Sequence, residues 1–305
     1  MNFGHIRQMI KPWMLPIAML GGILFHGFID KIAFLAPYLI FVMLLVTFCK
    51  VKPSEFKVTR LSWLLLSIQI FGSIAVYLAL SPFSTDVAQG AFICVFCPTA
   101  TAAPVITGML GGSVPRLATF SIISNMAVAI SAPILFPAIT GAHAATGTLA
   151  TSFLTIGIKV FPLIIVPLAL AFFLLYTLPG VHKAIASHQS VSFYIWAVSL
   201  FIVVGRAVSF IMDEPSGRIP EMAALALVAA LMCMAQFYAG RVIGRRCGDR
   251  IAGAQGLGQK NTVLAIWMAL TYLNPIASVA PAAYVAWQNT INSLQLYLKT
   301  RQKGI

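Results

Sequence analysis

The stretch that decides the fold reads AQGLGQKNT, residues 254–262, and it lies between two apolar runs. Lys260 stands here at membrane depth, and no Asp or Glu lies in the interior of any hydrophobic segment. A charge at this depth without an acidic partner is costly, so it marks a functional site by default. Gly253, Gly256 and Gly258 loosen a helix at the same place. We therefore expect an interrupted membrane helix that carries a functional lysine.

The composition of the chain is that of a membrane protein. It has 305 residues, of which 60% are hydrophobic and 9% are charged. Several apolar stretches exceed about 18 residues, the length that signals a membrane-spanning helix. We predict an all-α membrane protein with ten transmembrane segments, near residues 13–29, 32–49, 61–80, 87–111, 117–140, 149–179, 191–212, 220–240, 253–274 and 276–298.

The net charge of +13 is distributed in a way that argues against a nucleic-acid partner. Fifteen of the twenty Lys and Arg residues fall at alternate ends of the ten segments, whereas most acidic residues collect at the opposite ends. This is the positive-inside pattern. It predicts a multi-pass protein of the cell inner (plasma) membrane with both termini in the cytoplasm. The excess positive charge would then face the lipid bilayer, which is a predicted partner.

A second interruption is predicted in the fourth segment, where residues 97–104 read CPTATAAP. Pro98 and Pro104 remove amide donors and obstruct the preceding turn. Both interruptions fall in the fourth segment of a set of five, which divides the chain into five-helix repeats at 1–140 and 149–305. Because five is odd, the second repeat must insert with opposite topology. Interrupted helices at matching positions of inverted repeats indicate a binding site near the membrane midplane.

Three motifs at these positions resemble the bile acid:sodium symporter family. The resemblance covers essentially the whole chain by segment count and spacing. It implies a panel domain of segments 1, 2, 6 and 7, and a core domain of segments 3–5 and 8–10 in which the broken helices 4 and 9 cross. It also implies two sodium ions near the crossing and an organic anion in the groove between the domains. The motifs are Cys97-Pro98, Gly258-Gln259-Lys260-Asn261 and Trp287-Gln288-Asn289.

The cation site implied by the resemblance is weakened in this chain. Gln255 stands where the family has a sodium-binding Glu, and Lys260 stands where it has Asn. Ala103-Pro104 likewise replaces a Ser-Asn pair. Sodium prefers oxygen ligands that include a carboxylate, and two unit charges about 4 Å apart repel by about 4 kcal/mol at an effective dielectric constant of 20. We therefore expect the Lys260 ammonium to stand in for one of the ions. The polar residues that remain at the implied site are Gln69, Ser121, Gln255 and Gln259.

The predicted substrate site collects polar residues of the two breaks and of the tenth segment. Helices that restart after Gln259 and after Pro98 would direct two positive N-termini at one pocket, which suits an anion. The alternative for Lys260 is a side chain that reaches towards water at the cytoplasmic end of its helix. For the hydroxyl and amide residues the alternative is capping or helix packing. The candidate substrate-binding residues are Thr99, Thr101, Lys260, Asn261, Thr262, Gln288 and Asn289.

Two further basic residues lie within predicted segments. Arg206 is near the outer end of its helix, and its side chain is expected to reach towards water there. Lys159 lies deeper in its segment. It is a candidate for a second anion contact in the groove, and the sequence leaves its orientation open.

These features predict a secondary transporter that moves an organic anion, bile-acid-like or a small carboxylate, by alternating access. An enzyme is not expected, because the segments lack paired acids and a zinc motif such as H-E-x-x-H. We expect no metal site and no cofactor, and sodium as a coupling ion is left open. The alternatives are a non-transporting ligand sensor of the same fold and a proton-coupled or uncoupled carrier. A cation/proton antiporter would need an intramembrane Asp, which the segments lack.

Overall fold

The chain folds into a bundle of helices. The computed structural model describes residues 14–29, 31–50, 56–100, 102–140, 149–187, 189–213 and 218–303. These ranges are nearly all helical and contain no named β-strand, so the all-α prediction is confirmed for them. Four helical stretches in them are long and apolar enough to cross a membrane, namely Arg60–Leu80, Val114–Thr140, Phe153–Thr177 and Ile219–Arg246. Shorter apolar helices are Ala33–Phe48, Thr85–Phe96, Tyr194–Phe210 and Thr262–Tyr272.

The helices are numbered here in chain order over the described residues. A π-helical turn, Ile68–Gly72, joins α4 to α5, and 3₁₀ turns at Ala33–Leu35 and Pro275–Ser278 precede α3 and α15. The helices are α1 Met14–Leu24, α2 His26–Ile29, α3 Ala36–Phe48, α4 Arg60–Ser67, α5 Ser73–Leu80, α6 Thr85–Phe96, α7 Ala103–Leu110, α8 Val114–Thr140, α9 Leu149–Thr177, α10 Pro179–Ser187, α11 Gln189–Asp213, α12 Ile219–Arg246, α13 Arg250–Gly258, α14 Thr262–Tyr272 and α15 Val279–Lys303.

Capping side chains set the starts of several helices. Thr59 and Ser62 form a reciprocal capping box at the start of α4, and the Ser84 hydroxyl accepts from a first-turn amide of α6. Asp249 caps α13, and Asn261 caps α14. A cap satisfies amide groups that a helix start leaves without a partner, which matters most where water is scarce.

The helices pack in two groups. In the first group α1 packs along α11, and α3 packs along both α9 and α11. In the second group α12 packs against α6, α13 and α15, while α8 packs against α4, α7 and α13. The pairs α8–α9 and α11–α14 join the two groups. The interrupted helices α6–α7 and α13–α14 therefore belong to the second group.

Glycines allow α12 and α13 to approach at backbone distance. A Cβ atom added at Gly253 would overlap the carbonyl oxygen of Gly240 and the backbone of Gly244. The turn between the two helices contains Gly248 at φ +79°, a left-handed conformation that favours glycine. This tight hairpin places the start of the ninth predicted segment directly beside the end of the eighth.

An aromatic cluster packs around the first half of the fourth predicted segment. Phe92 and Phe96 of α6 stack with ring centroids 5.0 Å apart, and Phe136 of α8 contacts Phe96 edge-on at 5.6 Å. All three rings are buried in the largest hydrophobic cluster, which also contains Ile40 of α3 and Val203 of α11. Apolar packing therefore joins the two helix groups on the α6 side of the interruption.

Candidate functional site

Both interruptions occur at the positions that the sequence predicts. Helix α6 ends at Phe96 and α7 begins at Ala103, while α13 ends at Gly258 and α14 begins at Thr262. A helix restarts after Pro98, as the sequence predicts, and its first residue is Ala103. Pro104 then lies in the first turn of α7, where a missing amide hydrogen leaves no helical hydrogen bond unmade.

The two interruptions pair with each other through their main chains. Thr99 and Lys260 form an antiparallel bridge pair. The Ala100 amide donates to the Gln259 carbonyl at 2.8 Å, and the Asn261 amide donates to the Pro98 carbonyl at 2.8 Å. We call residues 98–100 and 259–261 the crossover. Non-helical backbone inside a membrane must be satisfied by protein or by a wet cavity, and here each break satisfies the other.

The Lys260 side chain reaches from the second break to the first. Its Nζ donates to the carbonyl oxygens of Val95 at 2.7 Å and Cys97 at 2.9 Å. The residue is 1% exposed, so the alternative in which its side chain reaches towards water does not describe this structure. These carbonyls belong to the C-terminal end of α6, which carries partial negative charge. The ammonium is thus compensated by main-chain dipoles.

Thr99 makes the reciprocal contact. Its hydroxyl donates to the Gly256 carbonyl at 2.8 Å, near the C-terminal end of α13. Its amide donates to the Ser124 hydroxyl of α8 at 3.0 Å. Thr99 therefore caps the end of the opposite interrupted helix instead of presenting its hydroxyl at the start of α7, as the sequence predicts. The physical reason is the extended backbone after Pro98, which carries Thr99 across to α13.

Amide side chains complete the α6 helix end. The Gln236 side chain of α12 donates to the Cys94 carbonyl at 3.2 Å, and the Gln69 side chain donates to the Phe96 carbonyl at 2.9 Å. Lys260 donates to the two other carbonyls of this helix end. Each carbonyl from Cys94 to Cys97 therefore accepts a hydrogen bond from a side chain of another segment. The helix end is satisfied as a unit, as a buried polar group requires.

Gln69 also holds the first break against α8. The Ser124 hydroxyl donates to the Gln69 carbonyl oxygen at 2.7 Å while it accepts from the Thr99 amide. Gln69 is fully buried and lies in the π-helical turn, a feature frequent at functional sites. The chain Gln69–Ser124–Thr99 therefore fixes the backbone at the bridge pair.

The remaining predicted cation-site residues, Ser121, Gln255 and Gln259, do not share a common hydrogen-bond partner among the described residues. The Gln255 side chain donates to Asn292 at 2.9 Å and Gln295 at 3.2 Å, both on α15. The carbonyl oxygens of the Gln255 and Gln259 side chains and the Ser121 hydroxyl are buried and have no partner among the described residues. These three oxygens can therefore accept further hydrogen bonds.

The predicted substrate residues are distributed unevenly around the crossover. Gln288 of α15 accepts from the Lys260 amide at 2.9 Å, and the Asn261 side chain accepts from the Leu264 amide at 3.2 Å. Thr262 is buried at the start of α14. Asn289 donates to Val285 of its own helix at 2.6 Å. Thr101 lies outside the described residues.

A cavity of about 380 Å³ lies beside the second half of the fourth predicted segment. Its walls are largely apolar, and Lys50, Thr47 and Ser121 supply polar groups. It is bounded by the end of α3, by α7 and by the first turns of α8; the other lining residues are Phe48, Pro104, Val105, Gly108, Met109, Val114, Pro115, Ala118, Thr119 and Ile122. Lys260 is not among the residues that line it.

Lys159 and Arg206 lie away from the crossover. Both side chains are exposed, on α9 and α11 respectively. Neither residue lines the cavity beside α7.

Three residues of the crossover network were missed from the sequence. They are Ser124, Gln236 and Tyr284. The Tyr284 hydroxyl donates to the Gly258 carbonyl at 2.8 Å and accepts from the Gln236 side chain at 3.1 Å. Gln236 could have been found as an amide within an apolar segment. Ser124 and Tyr284 carry no comparable signal, because hydroxyl residues are common in membrane helices.

Comparison of the chain with models of known protein families gives no match, and comparison with curated proteins gives no significant match.

Proposed function

We propose that this protein is a secondary transporter of an organic anion, built as ten transmembrane segments in two inverted five-helix repeats. The observation that carries the proposal is the pairing of the two helix breaks at Thr99 and Lys260. Interrupted helices from corresponding positions of two repeats form the midplane sites of secondary transporters. A polar, hydrogen-bonded crossing in an apolar bundle has no evident use in a purely structural membrane protein.

The position of the cavity beside the second half of the fourth segment supports alternating access. The cavity borders α7, which follows the break in the fourth segment, whereas the buried rings of Phe92 and Phe96 pack around α6, which precedes it. We assign the cavity to the cytoplasmic side, because Lys50 at its mouth belongs to the basic ends of the segments. This arrangement corresponds to an inward-open state of a protein in the inner (plasma) membrane.

The chemistry of the cavity supports an amphipathic anion as substrate. Its volume is within the range of about 300–1,000 Å³ that small-molecule pockets occupy. Apolar walls suit a hydrocarbon body, while the Ser121 hydroxyl, buried without a described partner, can donate to an acidic group. Partial burial lowers the pKa of Lys50, although its side chain remains exposed, so an anion nearby would favour its charged form. Lys260 acts behind this site as a positioning residue of the crossover.

Uptake by proteoliposomes tests the proposal. Purified protein is reconstituted, and radiolabelled steroid acids and small carboxylates are offered together with neutral and cationic compounds of similar size. We expect saturable uptake of at least one anion above the level of protein-free liposomes. Saturable binding of anions without uptake would support the sensor alternative, and uptake of cationic or neutral compounds alone would overturn the anion assignment.

A further inference from the structure

The Lys260 ammonium occupies a position of the kind that bound metal ions occupy in other proteins. Unwound backbone carbonyls and the C-terminal ends of half-helices coordinate sodium in secondary transporters. Here the carbonyl oxygens of Val95 and Cys97 point at a side-chain cation. We propose that the Lys260 ammonium is the internal cation of the crossover. The protein therefore needs no sodium ion at the α6 helix end, and removal of the ammonium creates a sodium-responsive site there.

The charge balance around Lys260 supports this assignment. Among the described residues the ion pairs join Arg218 to Asp86 and Glu221 and do not include Lys260. With 1% of its surface exposed, Lys260 depends on carbonyl dipoles for compensation. A metal ion held at a helix C-terminus depends on the same dipoles. The two kinds of cation are thus electrostatic equivalents at this position.

The ammonium also excludes a second cation from its neighbourhood. At an effective dielectric constant of about 20, a unit charge about 4 Å away would bind roughly a thousandfold more weakly because of repulsion. Sodium should therefore leave the wild-type protein unaffected at concentrations at which a formed site would respond. Transport without a sodium ion at this position is expected only if the proposed function holds, whereas the sodium response of the α6 helix end rests on the geometry alone.

Replacement of Lys260 by methionine is expected to allow sodium to bind at the α6 helix end. The apolar side chain fills much of the same space but leaves the Val95 and Cys97 carbonyls without donors. Buried carbonyls that lose their donors destabilise a protein. A sodium ion takes oxygen ligands, so it can restore what the ammonium supplied, and sodium binding then stabilises the folded state by mass action.

Thermal unfolding of the full-length protein in detergent tests this without knowledge of the substrate. The melting temperature is measured in NaCl, KCl and choline chloride at equal ionic strength, for wild type and for Lys260→Met. We expect the wild-type value to be the same in all three salts. For Lys260→Met we expect a lower value in choline chloride and a saturable rise of about 2 °C or more in NaCl. Lys159→Met is the matched control, because Lys159 is also within a helix but exposed; it should show no sodium response.

Two results would contradict the internal-cation proposal. Saturable stabilisation of the wild type by sodium overturns the proposal, and so does a folded Lys260→Met protein that is indifferent to sodium. Should Lys260→Met fail to fold, Lys260→Asn takes its place, since asparagine is too short to reach both carbonyls and adds an oxygen ligand. If neither variant folds, the wild-type titration alone decides. Failure of anion uptake in proteoliposomes would remove the proposed function and leave these results unchanged.

Discussion

Thr99 and Lys260 are bridge partners, and each side chain hydrogen-bonds the C-terminal end of the half-helix that precedes the other. The Thr99 hydroxyl donates to Gly256 of α13 at 2.8 Å, and the Lys260 ammonium donates to Val95 and Cys97 at the end of α6 at 2.7 and 2.9 Å. The crossing is therefore held twice, by main-chain bonds between the breaks and by side chains that extend past them.

The first prediction concerns the hydrogen bond from the Thr99 hydroxyl to the Gly256 carbonyl. Thr99→Val keeps the shape of the side chain but leaves the Gly256 carbonyl without its donor, and an unsatisfied buried acceptor costs about 1–3 kcal/mol. We expect a lower melting temperature in detergent. Thr271→Val is the control, because Thr271 is exposed and bonds only Trp267 of its own helix. Equal melting temperatures for the two variants would contradict a role of Thr99 in holding the crossover.

A second prediction concerns the coupling between Gln69 and Ser124. Gln69→Leu and Ser124→Ala each remove one side of a 2.7 Å hydrogen bond in a buried chain that ends at Thr99. Residues that share such a network couple by about 0.5–3 kcal/mol in a double-mutant cycle. We expect a non-additive loss of stability on chemical denaturation. Ser131→Ala, whose hydroxyl bonds within α8, should be additive with Gln69→Leu; additivity of both pairs would refute the proposed chain.

The third prediction concerns the close approach of α12 and α13. Gly253→Ala would place a methyl group against the Gly240 carbonyl, and backbone cannot move aside as a flexible side chain can. Overpacking typically costs about 1–3 kcal/mol, and we expect the upper part of that range or more. The measurement is the yield of monodisperse protein in size-exclusion chromatography after brief heating. Gly180→Ala, where no atom lies within 4 Å of the added carbon, should behave as wild type.

The fourth prediction concerns the cavity and rests on the proposed transport. Ala118 lines the cavity on α8, so Ala118→Trp would fill much of its volume. We expect loss of most anion uptake with little change in melting temperature. Ile130→Trp introduces the same ring on an exposed part of the same helix and should leave uptake intact. Undiminished uptake by Ala118→Trp would show that the substrate does not pass through this cavity.

The positions of the helix breaks could be predicted from the sequence because their causes are local. Pro98 and Pro104 cannot continue a helix without loss of hydrogen bonds, and three glycines weaken residues 253–258. The depth of Lys260 in an apolar stretch likewise marks it as exceptional in any arrangement of the surrounding helices.

The direction of each side chain at the crossover could not be predicted, because it depends on which backbone lies opposite. The sequence predicts that Lys260 and Thr99 line a substrate pocket, whereas both side chains reach carbonyls of the opposite helix end. The resemblance pointed to Ser121 at the implied cation site, whereas Ser124, about one turn further along α8, is the hydroxyl that bonds the Thr99 amide. Long-range pairing of this kind carries no local signal.

The contact between Lys260 and Val95 joins residues that are 165 positions apart. A ribosome must therefore synthesise more than half of the protein after α6 before the donor for the α6 carbonyls exists. Until that moment the Val95 and Cys97 carbonyls have no side-chain donor, and lipid cannot provide one. In the newly made first half these carbonyls must bond to water or to the insertion machinery. Synthesis of Lys260 then supplies their donor within the protein. The α6 helix end thus obtains its cation from a residue that is made late in synthesis.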